Sequence, residues 1–276
     1  MAECNTCPSS EGCSKDKENC MIENNPLNNV KKIIGVMSGK GGVGKSSISV
    51  LIAKHLKQLG YSVGVLDADI TGPSVPRLLG LKGKRAEVIE QGILPVENFD
   101  GIKVMSLNFL TEKEDDPVIW RGPIISGAVK QFWTDVLWEE LDYLIIDMPP
   151  GTGDVALTVM QSIPINGIVM VSVPQDLVSM IVSKAVNMAR KMNINILGVI
   201  ENMSYITCPD CGKKIGFFNG ENTDKFLEEM DLKLLGELPM LNSISNLSNY
   251  WHESVNESLE LIFNPIVTNI IKGLEE

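Results

Sequence analysis

The feature that most constrains this chain is VKKIIGVMSGKGGVGKSS, residues 30–47. A mostly apolar run that reads as a buried strand enters a glycine-rich turn, and the turn opens a run with helical periodicity. Gly39, Gly44, Lys45 and Ser46 match G-x-x-x-x-G-K-[ST]. In such a loop backbone N–H groups wrap phosphates, the lysine neutralises them, and the hydroxyl meets magnesium. The strand before it and the helix after it are the context in which a helix N-terminus faces an anion. Gly39, Lys40, Gly41, Gly42, Val43, Gly44, Lys45, Ser46 and Ser47 are therefore expected to hold a nucleotide, with Mg²⁺ on Ser46. A charge pair about 4 Å apart at an effective dielectric near 20 is worth roughly 4 kcal/mol before desolvation, so loss of Lys45 is expected to cripple the site. Lys40 is a second lysine that the pattern does not require.

The rest of the chain repeats strand then helix. Residues 46–59 read as a helix closed by Gly60, and YSVGVLDAD (61–69) as a second strand. AEVIEQGILPVENFDGIKVMSLNFL (86–110) alternates and turns at Gly92 and at Asp100-Gly101, as an inserted antiparallel hairpin would. GPIISGAVKQFWTDVLWEE (122–140) reads as a helix. Strand DYLIIDMPP, a helix near 155–162, strand GIVMVSVP, a helix near 177–192 and strand INILGVIENMS follow. Apolar strands alternating with amphipathic helices predict an α/β fold, a mostly parallel sheet flanked by helices on both faces. Towards the C-terminus an apolar helical stripe is punctuated by Asn264-Pro265, which is expected to cap one helix and start another.

Residues 1–29 are rich in Cys, Asn, Ser and charge and cannot bury a core of their own, so their order must come from metal or from docking. The chain thus divides into a Cys-rich segment, 1–29, and an ATPase domain, 30–276. The formal net charge of −11 argues against a surface built to grip nucleic acid. No apolar run is long enough to span a membrane, and the C-terminal stripe lacks the basic face of an interfacial helix. A cytoplasmic protein without membrane or nucleic-acid partners is expected. Its six cysteines then sit in a reducing compartment, where short spacings more often hold metal than form structural disulfides.

Three acidic residues lie at strand ends. Asp147 closes an apolar strand, where a carboxylate is costly unless a cation meets it, and hydrated Mg²⁺ would serve. Asp67 and Asp69 are two apart and point the same way if the strand persists. Asp69 is the expected orienter of an attacking water, with loop capping as the ordinary alternative. Cys208 and Cys211, in CPDCGKK, can aim two thiols at one metal. A cluster, a zinc site shared with Cys4 and Cys7, and a dithiol redox pair all fit that spacing. His55 and His252 belong to no catalytic pattern.

KGGVGK (40–45) resembles the deviant Walker A loop of the NifH/MinD/ParA/ArsA class of dimeric P-loop ATPases. Within that class, DADITGPSVPRLLG (67–80), WRGPIISGAVKQF (120–132), DYLIIDMPPGTGD (142–154), VSVPQD (171–176) and ENMSYITCPDCG (201–212) resemble the Mrp/ApbC branch of iron–sulfur cluster carrier ATPases. The resemblance implies that Lys40 reaches ATP in the partner subunit of a homodimer, that Asn202 recognises adenine, and that Gly151 and Thr152 sense the γ-phosphate. Trp120 and Arg121 receive no role from it. Two thiols from each of two chains would give the four ligands of a bridging [4Fe–4S] cluster, delivered to apo iron–sulfur proteins after loading by a cluster donor. Cys4, Cys7 and Cys13 resemble the N-terminal ligand run of the related scaffold proteins. Their fourth cysteine normally lies before this run, so Cys20 is expected to substitute in a second cluster, with zinc or an empty thiol tail as alternatives. Two other function classes share the loop. A MinD/ParA-like positioning ATPase predicts a basic membrane helix or DNA patch, and a NifH-like electron donor predicts single cluster cysteines in separate loops.

Overall fold

The computed structural model describes residues 21–70, 72–111, 122–177, 180–208, 210–216, 221–240 and 257–275. Cys4, Cys7, Cys13, Cys20, Trp120, Arg121 and His252 lie outside the described residues. The first half of the chain forms β1 (Asn29–Ser38), α1 (Lys45–Gln58), β2 (Val63–Asp67), α2 (Val75–Leu78), β3 (Glu87–Ile89), β4 (Gly92–Leu94), β5 (Val96–Glu97), β6 (Lys103–Met105) and α3 (Gly122–Thr134). The second half forms β7 (Glu140–Asp147), α4 (Asp154–Ser162), β8 (Gly167–Ser172), α5 (Pro174–Leu177), α6 (Met180–Lys191), β9 (Ile196–Thr207), β10 (Lys214–Gly216), α7 (Glu221–Glu229), β11 (Leu234–Pro239) and α8 (Glu257–Glu275).

The main sheet runs β10-β9-β8-β1-β7-β2-β6-β5, with β11 also on β9. Its pairings are parallel except for β5 with β6 and β10 with β9. Alternation along each strand divides the core in two. Ile33 and Met37 of β1 pack with α3, α4 and α6, whereas Ile34 and Val36 pack with α1, α2 and α8. Both faces are covered, which is why the strands read as continuous apolar runs. At the sheet's other end Asp142 ties three strands together. Its carboxylate pairs with Lys31 of β1 and accepts the N–H and hydroxyl of Ser62 just before β2, each at 2.8 Å. Lys31 first, and then the Ser62 donors, hold its pKa down to about 2.

Several boundaries differ from the sequence-based expectation. The middle segment is only partly an insertion: β3 and β4 form a separate hairpin, but β6 joins the main sheet in parallel with β2. Helix α3 stops at Thr134, because the chain beyond it extends to bond Ile93 of the hairpin and buries Trp138. The helix predicted near 177–192 corresponds to α6, Met180–Lys191, with α5 lying before it at Pro174–Leu177. Strand β2 ends at Asp67 rather than continuing through Asp69. Pro265 does not start a helix; it lies inside α8. The carbonyl that loses its donor there belongs to Leu261, a residue 75% exposed, so water can replace the missing bond. Before β1 begins, Ile22 already docks on the body: its N–H bonds Ser162 O and its carbonyl accepts Trp133 Nε1. Among the described residues no helix is long and apolar enough to cross a membrane.

Helix α8 is held against α1 in part by His55, whose ring lies 4.8 Å from that of Phe263. Its Nδ1 bonds the Leu51 carbonyl at 2.8 Å, and its buried Nε2 has no partner. Burial lowers its pKa. A group whose folded-state basicity is depressed stabilises the fold above its unfolded pKa, about 6.5, and that contribution is lost as pH falls below it. Urea denaturation at pH 7.5 and pH 5.5 should therefore show a loss of stability that shrinks in His55→Phe; equal losses in the two proteins would remove His55 from the account.

Candidate functional site

The parallel strands end together on one side of the sheet, where open α/β folds place their ligands. β1 ends at Ser38 and passes into the glycine loop, and β7 ends at Asp147, beside Asp67 at the end of β2. Gly44 precedes α1 with φ +85°, and a Cβ there would lie 2.3 Å from Asn202 Nδ2. Only glycine meets both demands. No side chain caps the start of α1 and no acidic residue lies in its first turn, so its backbone N–H groups and dipole remain available to an anion. A Cβ on Gly41 or Gly42 would meet nothing within 4 Å, which leaves an open cradle above the loop.

Below the cradle sits Asp147, fully buried. Lys45 Nζ donates to its Oδ1 at 2.8 Å, and Ser46 Oγ donates to its Oδ2 at 2.6 Å. Ser49 Oγ lies 2.8 Å from Oδ1 as well. Lys45 is 6% exposed and also stands 3.7 Å from Asp69 Oδ2. Asp67 lies deeper. Its Oδ1 accepts the N–H of Asp69, and its Oδ2 accepts the hydroxyl of Ser106 at 3.2 Å. Burial first, and then the neighbouring Asp147 charge, push its pKa up to about 8. β2 stops at Asp67, so strand alternation does not set the direction of Asp69; Asp67 is buried at the sheet end, whereas Asp69 is partly exposed beside Lys45.

The outer half of the loop forms one wall of a cleft of about 360 Å³. Lys40, Gly41, Gly42 and Val43 line it with Val173, Pro174 and Gln175 beyond β8, and Met203 and Met240 complete it. Lys40 is exposed at this rim. Asn202 is buried beneath it, with Nδ2 donating to Val43 O at 2.9 Å and Oδ1 without a partner. An unpartnered buried amide oxygen is costly and is poised to accept a hydrogen bond. Gly151 donates its N–H to Ser38 O at 2.8 Å, and the exposed Thr152 follows it at the same end of the sheet.

The strand that holds Asn202 leads to the thiols. β9 pairs with β8 through Glu201, turns at Met203 with φ +55°, and then pairs with β10 from Tyr205. The β9–β10 hairpin ends in Cys208 and Cys211, both free, the first partly buried and the second exposed. Cys208 N–H bonds Lys213 O, and Gly212 N–H bonds Cys208 O, each at 2.9 Å. Backbone N–H groups of Cys211, and next of Asp210, lower the pKa of the Cys208 thiol. Donors aimed at sulfur stabilise the thiolate, the form that ligates metal. Among the described residues no third His, Cys, Asp or Glu joins the pair to make a metal site.

Sequence reasoning missed two contributors. Ser49 was findable, since it lies three and four residues beyond Ser46 and Lys45 on one helix face. The cleft walls from Val173–Gln175, Met203 and Met240 come from three separate segments, and no local pattern joins them.

A family model described as ParA, NUBPL iron-transfer P-loop NTPase matches residues 29–274. An iron-sulfur cluster carrier protein of Clostridium perfringens is 47% identical over 289 residues, covering 99% of this chain and all of the relative. Among solved structures, a nucleotide-binding protein from Archaeoglobus fulgidus in complex with ADP is 40% identical. It aligns with a TM-score of 0.71 over 82% of this chain and 93% of that one. The cell division ATPase MinD of Pyrococcus furiosus, at 20% identity and TM-score 0.60 over 87% and 98%, shares the fold. The glycine loop, its buried aspartate and these likenesses over nearly the whole chain establish that it belongs to the ParA/NUBPL family of iron-transfer P-loop NTPases.

Proposed function

We propose that the chain is an ATPase that carries a [4Fe–4S] cluster between two copies of itself and passes it to apo iron–sulfur proteins in the cytosol. The observation that carries this reading is a pair of thiols, Cys208 and Cys211, in the turn that directly follows β9, the strand whose Met203 lines the cleft. A [4Fe–4S] cluster takes four thiolates, and a two-fold axis would supply the second pair. The similarity to iron-sulfur cluster carrier proteins supports the identity of the cargo.

The nucleotide roles follow from position. Lys45 would leave Asp147 for the β- and γ-phosphates, and the N–H groups at the start of α1 would cradle them. Ser46 and Asp147 present oxygens 2.6 Å apart, the hard ligands that magnesium takes, so the residues present fit that ion. Bound there, magnesium would neutralise charge on the phosphate oxygens. Asp69, partly exposed beside Lys45, would orient the attacking water. The free Oδ1 of Asn202 can accept from the adenine amino group, and Lys40 at the rim can reach a nucleotide in a facing copy. Thr152, beside Gly151, would read the γ-phosphate. Because β9 joins cleft to thiols, ATP and cluster should each alter the other's affinity by the same factor.

Lys45→Ala should weaken binding of a fluorescent ATP analogue at least a hundredfold. Lys40→Ala should keep that binding largely intact yet lose ATP-dependent dimerisation and turnover; unchanged turnover would remove Lys40 from the partner's site. After anaerobic reconstitution, replacing Cys208 and Cys211 with Ser should remove one cluster's worth of iron and sulfide per two chains. Light scattering should place the lost cluster in a dimer. Zinc without sulfide on these thiols, or a full cluster on a strict monomer, would overturn the carrier reading.

A further inference from the structure

Three donors surround the Asp147 carboxylate, and two of them have a second task. Lys45 Nζ and Ser46 Oγ hold Oδ1 and Oδ2 here, but the nucleotide reading sends the lysine to phosphate and the hydroxyl to magnesium. Ser49 has no such competing partner. Its side chain is fully buried on α1, three residues beyond Ser46 and four beyond Lys45, with Oγ 2.8 Å from Asp147 Oδ1. We infer that Ser49 is a positioning residue that keeps Asp147 aimed at magnesium once Lys45 has let go. This rests on the nucleotide reading above.

The hydroxyl has one proton and two acceptors within reach. Asp147 Oδ1 lies at 2.8 Å and the Lys45 carbonyl at 3.1 Å. A hydroxyl donates to one at a time. While the ammonium of Lys45 sits on Oδ1, that oxygen already has a donor, and the Ser49 proton can serve either Oδ1 or the carbonyl one turn back. When the ammonium turns to phosphate, Oδ1 becomes a buried carboxylate oxygen without a donor, a costly state. Rotation of the Ser49 proton onto Oδ1 relieves it without moving a heavy atom. The carboxylate then keeps its orientation, with Oδ2 towards Ser46. Without this hydroxyl, Asp147 would lose that anchor. Partners that orient a metal's ligands typically account for 10- to 100-fold in metal affinity.

The competing role is ordinary back-bonding of a mid-helix serine to the carbonyl four residues earlier. It predicts no effect specific to magnesium. Binding of fluorescent ADP and ATP analogues to the full chain, measured in EDTA and across a magnesium titration, separates the two. Ser49→Ala should bind nucleotide in EDTA within about twofold of the unmodified protein. The magnesium concentration for half-maximal effect should rise about tenfold or more, and Ser49→Thr should restore it. If alanine does not yield folded protein, Ser49→Cys keeps the volume with only a weak S–H donor, and the same rise is expected. An unchanged magnesium dependence, or an equal loss in EDTA, would overturn the inference. Absence of magnesium-dependent binding in the unmodified protein would instead overturn the nucleotide reading, and this inference with it.

Discussion

A carboxylate with no exposed surface, Asp147, is the constraint around which the site is arranged. Isolated in the core it would be prohibitively costly as an anion, so something must bring donors to it. The start of α1 does so with Lys45, Ser46 and Ser49. These contacts clamp the helix to the end of β7 and so set the height of the glycine loop above the sheet. The same contacts leave the site prepared for exchange. A donor lost from this carboxylate would have to be replaced by another hydrogen bond or by a cation, and a divalent cation beside Asp147 would also relieve Asp67, whose ionisation the Asp147 charge opposes.

Strand β9 is the second organising element. Within a few residues it buries Glu201 against one side of the sheet, sends Asn202 beneath the glycine loop, turns at Met203 and leads into the thiol hairpin. Burial raises the pKa of Glu201, against the opposing effect of Ser204, which donates to its Oε2 at 2.7 Å. From Asn202 to Cys208 the chain can extend at most about 20 Å. A displacement of the loop that pulls on Asn202 therefore has a short, hydrogen-bonded path to Cys208. A non-glycine residue at positive φ in the middle of that path is a place where the strand changes course rather than a rigid rod.

The parts of the site legible in the sequence were those encoded by local spacing. The glycine loop, Asp147 at a strand end and the Cys208–Cys211 pair each stand out within a dozen residues. The misreadings came where an unseen neighbour overrode a local signal. Pro265 looked like a helix start, but exposure at Leu261 let one helix continue through it. Asp69 looked like the companion of Asp67, but the strand ends between them. Residues 103–105 looked like part of an insertion, yet pairing with β2 makes them a strand of the main sheet.

By itself the sequence determined the α/β class, the phosphate loop and the two-thiol turn, because hydrophobic period, glycine placement and ligand spacing act over one or two turns of chain. Only the tertiary structure decided that Asn202 lies under the loop with an amide oxygen to spare, that Ser49 shares Asp147 with Lys45, and that one strand serves both cleft and thiols. Those facts depend on which strands become neighbours and where each one stops, and packing across a sheet sets both, at sequence separations of about a hundred residues or more.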